Sequence, residues 1–506
     1  MGNKVSSEQV MKKVLLINWD NYPNVASGGV YSWEKFFIDG MHNVKFSVIN
    51  QLSNSNANAT FNVPEYVESV TSPPLFGTNR LEEFIETRQF VKKIVRTTDS
   101  VIKKEFLPLF NEFLRNILAV SCEAEDTANS IYKIHKFLVA HDTKKCFEHP
   151  ATWESFLNYL LGDSDFAEMN LKDALAAFQT FQRGLQVISF DLPSVDLVHC
   201  SLAWMPSFAA ICAKKEYNCP IVVTEHGVAY REQLLNTNLT IDDAVAAKYW
   251  KRMAHNIIHT IYHEADAIVP VCASNAVWEV MMSADQSKIK VIYNGIDTKR
   301  FRPMKTERTN SKPTFVTVGR IDVWKDIVGL IQAVNIAREQ VPNIQCHVYG
   351  QAIDLEYAVQ CNDLVKELHL EDNFKFMGRT AQPEVAYNSG DFVVFSGITE
   401  GFPFSVIEAM ACGKAVAASD VGGVGEALEG CGSLVRSRSP RDMANKIVEL
   451  AQNEKLREGL GRAALERARE RFSIEASNSE YARLYDILLS SSGELQRESA
   501  GIVITR

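Results

Sequence analysis

The chain has 506 residues, too many for one hydrophobic core and suited to two domains with an insertion. Apolar residues make up 46% and charged residues 23%, the balance of a globular enzyme rather than a disordered or fibrous chain. A net charge of −9 argues against a nucleic-acid protein, whose footprint would be a basic surface, and leaves room only for a local basic cleft.

In chain order, Met1-Gly2-Asn3-Lys4-Val5-Ser6 fits the N-myristoylation pattern, and is read as a chance match in a polar leader. No signal peptide opens the chain, and no run approaches the roughly 18 apolar residues of a membrane span. The ten cysteines stand singly without a C-x-x-C pair, so no zinc or redox motif is signalled and reduced, cytoplasmic thiols are expected.

Val14-Leu15-Leu16-Ile17-Asn18 suits a buried parallel strand. A polar loop ending in Gly28-Gly29 leads to a helix over Val30–Ile38 and a strand over Val44–Ile49. This strand–loop–helix–strand rhythm predicts a doubly wound α/β domain. Residues 51–190 break it, with Asn and Ser crowding 51–60, Pro73-Pro74, and helical patterns from 81 to 185. They read as a mainly helical insertion. Phe106, Leu107, Leu109, Phe110, Phe113, Leu114, Ile117 and Leu118 form a wide apolar stripe, expected to pack on the parent domain, with a membrane- or partner-facing helix as the alternative.

Strands resume at Val195–His199, Ile221–Thr224, Ala267–Val271 and Lys290–Tyr293. The turn-rich Asn294-Gly295-Ile296-Asp297 and Arg302-Pro303 predict a domain crossing. A second α/β series follows at Thr314–Val318, Gln345–Tyr349, Phe374–Met377, Phe392–Phe395 and Ala415–Ala418, then helices near 454–471 and 474–490. The expected organisation is a first domain over 12–297 and a second over 304–473, with a cleft between them. The last helix, 474–492, is expected to pack back on the first domain.

The strongest chemical signal is the string from Glu400 through Gly401-Phe402-Pro403-Phe404-Ser405 to Glu408, directly after a buried strand. Ligands of doubly wound folds bind at that carboxyl edge. Glu400 falls in the loop and Glu408 early in the next helix, with the amides of 401–405 free to donate between them. Ser405-x-x-Glu408 also matches a capping box, which would make Glu408 a mere helix starter, but capping requires neither Glu400 nor Gly-Phe-Pro.

A second signal, Gly319-Arg320-Ile321-Asp322-Val323-Trp324-Lys325-Asp326, brings two cations to the same edge without residues that obviously neutralise both. A diphosphate suits that pair, since Arg supplies a rigid fork of donors and Lys a mobile point charge. Gly28-Gly29 before a helix adds an anion-binding geometry, weak by itself. Neither G-x-G-x-x-G nor a P-loop is present. His226, in Thr224-Glu225-His226-Gly227, stands at a strand end where an active-site role and a structural one are equally open.

Glu400-x7-Glu408, Arg320 with Lys325, Asn294-Gly295-Ile296-Asp297 and Asp420-Val421-Gly422-Gly423 resemble retaining GT-B glycosyltransferases of family 4. The resemblance covers most of the chain outside 51–190. Glu225-His226-Gly227 with Tyr230-Arg231-Glu232, Lys325-Asp326 and Asp354-x-Glu356-Tyr357 leading to Cys361 look closer to the cytoplasmic glycosyltransferase of Pel exopolysaccharide synthesis.

The resemblance implies two Rossmann-like domains and transfer of a hexose from a UDP-sugar, UDP-glucose foremost, to a glycan or small-molecule acceptor. Arg320 and Lys325 would hold the diphosphate and Glu408 the ribose. Glu400 with the amides of Phe402, Pro403 and Phe404 would orient the sugar, which His226 would face. Gly28-Gly29 would close over the phosphates and Gly378 lie beside the base. Tyr230 and Arg231 fall on the acceptor side. No metal or other cofactor is expected, because no D-x-D stands in a strand-end loop. Retention would follow front-face attack. A peripheral contact with a membrane synthesis complex is the partner expectation. The alternatives are an epimerase of the same fold, which would release an isomerised sugar, and a non-catalytic UDP-sugar-binding subunit.

Overall fold

Five successive buried residues, Val14 to Asn18, form the centre of the first strand, β1 (Lys12–Trp19). A strand without polar alternation must be covered on both faces, as in a parallel sheet flanked by helices. The computed structural model describes residues 11–24, 29–53, 63–75, 86–305 and 312–490; the Met1–Ser6 pattern and Gly28 lie outside them.

β1 pairs in parallel with β2 (Val44–Gln51) on one side and, on the other, with the strand at Leu197–Cys200, which is β4. With β3 (Val67–Thr71), β5 (Ile221–Glu225) and β6 (Ala267–Pro270) they make a six-stranded sheet ordered β3-β2-β1-β4-β5-β6. The second sheet contains β7 (Thr314–Val318), β8 (Gln345–Tyr349), β9 (Phe374–Gly378), β10 (Phe392–Phe395), β11 (Ala415–Ser419) and β12 (Ser433–Val435). Its order, β12-β11-β10-β7-β8-β9, is that of the first sheet read from the other edge. Each sheet therefore reverses its winding once, between β1 and β4 and between β7 and β10. Crevices open at the carboxyl ends of such strand pairs.

The chain divides into two compact units. The first runs to Pro270, resumes over Ala276–Val291, and takes in the last turns of the final helix (Ile474–Ser490) from Ala482. The second holds Val271–Asn275 and Ile292–Tyr481. Within the first unit, Tyr485 on that final helix hydrogen-bonds His199 Nδ1 at 2.6 Å, and Asp486 pairs with Lys12.

The insertion is helical from Thr87 to Ile188, apart from short connections. Its apolar stripe faces inward: Phe106, Phe110, Phe113, Leu114, Ile117 and Leu118 are all fully buried, in one cluster with Leu15 and Ile17 of β1. The membrane- or partner-facing alternative for this stripe is thereby corrected. Burying these side chains against their own domain removes apolar area at roughly 25 cal/mol per Å2.

Two further expectations change. Lys290–Tyr293 is not a strand; the chain touches the sheet edge only through a bridge between Ile289 and Ile268, then leaves for the second unit. Tyr293 packs there on Phe402, 5.0 Å between ring centres. β3, inside the supposedly helical insertion, and the three-residue β12 were not anticipated. Among the described residues, no helix is long and apolar enough to cross a membrane.

Candidate active site

The second unit builds its site at the reversal between β7 and β10, where Phe315 lies beside Phe392. Beyond β7 the chain turns through Gly319-Arg320, tightly against the end of β8. A β-carbon on Gly350 would stand 1.7 Å from the Gly319 carbonyl oxygen, so only glycine allows that approach. Asp322 then accepts from the Trp324 amide at 3.1 Å and from Arg320 Nε at 3.1 Å. Asp326, in left-handed backbone (φ 48°), caps the helix Ile327–Ala337 through the Gly329 amide at 3.1 Å.

Lys325 lies between these two aspartates. Its ammonium pairs with Glu400 Oε1 and stands 5.4 Å from the centre of the Phe395 ring. The loop is laced to the one after β10: Ser396 Oγ donates to the Lys325 carbonyl at 2.7 Å, and the Ile398 amide to the Trp324 carbonyl at 2.9 Å. The sequence reading left both cations without neutralising neighbours, and the structure corrects this. Arg320, 64% exposed, leans on Asp322, while Lys325, only 19% exposed, meets a carboxylate 75 residues distant in the chain. Burial, with the charge of Arg320, pushes the Lys325 ammonium down to about 8, and Asp322 opposes the shift. The adjoining Glu400 carboxylate favours the charged form too, so the lysine is a cation at neutral pH.

The next helix is Phe404–Ala411, with Pro403 at its N-cap position and no side chain capping it. Ser405 is already inside the helix, so the capping-box reading of Ser405 and Glu408 does not hold. Glu408 instead accepts a hydrogen bond from the Tyr387 hydroxyl at 2.8 Å. Burial raises its carboxyl to about 7 against that hydrogen bond and the charge of Arg300.

Phe402 is 3% exposed and packs on Tyr293 and Phe472, so its side chain belongs to the core. Its carbonyl accepts from Asn294 Nδ2 at 3.1 Å, which gives the Asn294–Asp297 motif a structural task. Gly422 and Gly423 brace the same loop. Gly422 has φ 54° and a β-carbon there would lie 1.9 Å from the Glu400 carbonyl oxygen. The Gly423 amide donates to the Gly401 carbonyl at 2.7 Å. Gly378 ends β9 with φ 75°, and a β-carbon at that position would meet nothing within 4 Å, leaving its surface open.

In the first unit, the residues after β1, β4 and β5 surround a cavity of about 230 Å3. His226 lines it with Trp19, Trp204, Glu225 and Glu232, and packs edge-on against Trp33 at 4.5 Å. Glu225, 2% exposed, accepts from the Tyr262 hydroxyl at 2.9 Å, and burial lifts its carboxyl to about 8. Gly29 begins the helix Gly29–Gly40. Tyr230 and Arg231 do not line this cavity. Tyr230 borders a separate one of about 550 Å3 with Lys248, Arg252 and His255, and the Arg231 guanidinium lies over Trp278 at 5.9 Å.

The structure thus brings Arg320, Lys325, Glu400 and Glu408 to one sheet edge, and places His226 in the other unit. Sequence reasoning missed Tyr387, Phe395, Trp19 and Trp204. Each is an aromatic residue with no local pattern to distinguish it from core. Among the described residues, no group of three or more His, Cys, Asp or Glu side chains is placed to hold a metal ion.

Two parallel-sheet Rossmann-like domains of the same winding define a GT-B fold. Solved structures agree: HepE of Anabaena in complex with UDP and glucose has a TM-score of 0.57 at 15% identity, covering 94% of this chain and 99% of that one. Sucrose-phosphate synthase of Thermosynechococcus elongatus has a TM-score of 0.60 at 17% identity, covering 95% and 100%. Residues 12–287, more than half of the chain, match the family described as domain of unknown function DUF3492, and the chain belongs to it. Residues 299–467 match glycosyl transferases group 1, and the protein is a glycosyltransferase.

Among its relatives, an uncharacterized glycosyltransferase of Methanocaldococcus jannaschii is 24% identical over 380 residues, 72% of this chain and 89% of that protein. The D-inositol 3-phosphate glycosyltransferase of Mycobacteroides abscessus is 27% identical over 319 residues, 59% and 66% of the two chains.

Proposed function

We propose that the protein is a retaining, metal-independent hexosyltransferase that moves a sugar from a UDP-sugar, UDP-glucose foremost, to a glycan or other acceptor. One observation carries this reading. Two cations and two carboxylates, scattered over 89 positions from Arg320 to Glu408, come to the carboxyl edge of one sheet at its winding reversal. The HepE complex with UDP and glucose, on the same fold, supports the choice of nucleotide.

In this reading the diphosphate takes Arg320 and Lys325 from Asp322 and Glu400. Each charge-assisted hydrogen bond contributes about 1.5–3 kcal/mol as negative charge builds on the leaving group. Glu400, released from Lys325, turns its oxygens to the hexose hydroxyls beside the amides of Phe402 to Phe404. In this reading the Lys325–Glu400 pair is exchanged for one with the donor, so both charges are satisfied before and after it binds. Glu408, held by Tyr387, accepts from the ribose, and Gly378 gives the base an unobstructed surface. The acceptor side belongs to the first unit and its His226. The departing phosphate oxygen takes the acceptor proton, so no protein nucleophile is required. All ten cysteines are free thiols, which favours a cytoplasmic setting. The Pel-type resemblance favours an exopolysaccharide acceptor.

The test is UDP release from a panel of nucleotide sugars, with EDTA present throughout, and NMR of the anomeric proton in product. The expected result is metal-free turnover of a UDP-hexose with retained configuration. A requirement for manganese would sink the metal-free step, an inverted anomer the retaining one, and silence toward every nucleotide sugar the whole reading.

A further inference from the structure

The cavity of the first unit carries chemistry that sorts acceptors by charge. It is bounded by the ends of β1, β4 and β5, the crevice where ligands of this fold settle. Its volume, about 230 Å3, suits a small ligand such as a sugar ring and is too little for a folded partner. Trp19 and Trp204 give it apolar aromatic surface, while Asn21 and Gln233 add amides that both donate and accept. Apolar faces joined to a few convergent polar groups are the makeup of a small-molecule site.

Apart from His226, the ionisable groups of the lining are carboxyls. Glu225 and Glu232 line the cavity, and among the described residues no Lys or Arg does. Glu279, fully buried, lies near enough to Glu225 for the two carboxyls to repel. The nearest cation in sequence, Arg231, is spent on the Trp278 ring. Glu225 is already engaged by Tyr262, but Glu232 is exposed to the cavity and its carboxylate has neither hydrogen bond nor ion pair among the described residues, Arg231 acting on it only at longer range. Its carboxylate rests against Gly227, where a β-carbon would stand 1.8 Å from Oε1, so glycine at 227 is what lets Glu232 take this position.

From this we infer that the cavity is a subsite for an uncharged or amino sugar, that Glu232 accepts hydrogen bonds from its hydroxyls, and that uronic acids are excluded. A sugar hydroxyl donates to a carboxylate, and the C–H face of the ring stacks on indole. An acidic sugar would bring a second negative charge beside Glu232, with only Arg231, held over the Trp278 ring, to offset it. This names the acceptor class of the proposed transfer and rests on that reading for its place in the reaction.

The experiment is saturation-transfer NMR titration of the full chain with methyl β-glucoside, cellobiose, glucosamine and glucuronic acid, with UDP binding measured in the same samples. The neutral sugars should bind at least about ten-fold more tightly than glucuronic acid, a difference of about 1.4 kcal/mol. Glu232→Gln, which keeps the shape and loses the charge, should weaken the neutral sugars several-fold and narrow the discrimination, leaving UDP affinity unchanged. Equal or tighter binding of glucuronic acid overturns the inference, as does indifference to Glu232→Gln or failure of every neutral sugar to bind. Loss of UDP binding alone would refute the donor reading and leave the cavity's selectivity intact.

Discussion

At the scale of single residues, the proposed donor site contains a base and an acid that titrate close together. Lys325 is depressed to about 8 and Glu408 raised to about 7, both chiefly by burial. A diphosphate needs the lysine charged, and ribose hydroxyls donate better to a carboxylate than to a carboxylic acid. UDP affinity should therefore rise as pH passes about 7, and fall again as it passes about 8. Calorimetric titration across that range checks it, and a flat profile would contradict the assignment of both groups. Lys325→Ala should remove the alkaline limb and weaken UDP by roughly 10- to 100-fold, the worth of one charge-assisted contact. Tyr387→Phe removes a hydrogen bond that favours the Glu408 carboxylate, so it should move the acidic limb to higher pH. A merely structural Tyr387 would leave that limb where it is.

Elements explain why these residues meet, and why the sequence showed some of this and not the rest. Strands such as Phe392–Phe395 are short apolar runs bounded by turns, and the Glu400 string follows one, so its position on the sheet edge was legible. Lys290–Tyr293 has the same β-branched and aromatic look, yet the chain passes into the second unit at Ile292, and Tyr293 packs there rather than on a neighbouring strand. β12 has three residues, too few for any period to register. The pairing of Lys325 with Glu400 crosses two loops, and no local pattern encodes it. The role of Gly422-Gly423 is likewise tertiary: it supplies a left-handed turn and bare backbone on which the Glu400–Phe402 loop rests. Gly422→Ala should cost about 1–3 kcal/mol for the backbone conformation alone, with the clash against the Glu400 carbonyl added. Thermal melts with and without UDP would register it as a lower melting temperature and a smaller stabilisation by nucleotide. A variant that melts and binds like the parent would show that the loop does not depend on this brace.

On the scale of the whole molecule, stability should carry an unusual pH signature, because the first unit buries carboxyls that are protonated where most are charged. Glu34, fully buried, accepts at 3.0 Å from both Asn18 Nδ2 and the Tyr22 amide, and burial lifts it to about 8. Glu225 stands at about 8 as well, and Glu279, with no hydrogen bond to either oxygen among the described residues, is held well above its usual range by burial and by Glu225. Each keeps a proton in the folded state that the unfolded chain, titrating near 4.5, gives up. Their contribution is complete below that value and drains away as pH climbs toward 8. His199 acts in the opposite sense at lower pH. Buried between Tyr485 and Thr224, it is depressed to about 3, so stability grows as the unfolded histidine loses its proton, and this ends near 6.5. From pH 4.5 to 6.5 three carboxyls outweigh one histidine, so these groups set a maximum near 4.5; from 6.5 to 8, with the histidine no longer opposing them, the decline is steepest, on the order of several kcal/mol. The apparent melting temperature should fall by a few degrees over that interval, and Glu34→Gln with Glu279→Gln should flatten the fall. A melting temperature that holds or rises between pH 6.5 and 8 would mean these carboxyls are already ionised in the fold, with water or a cation reaching them.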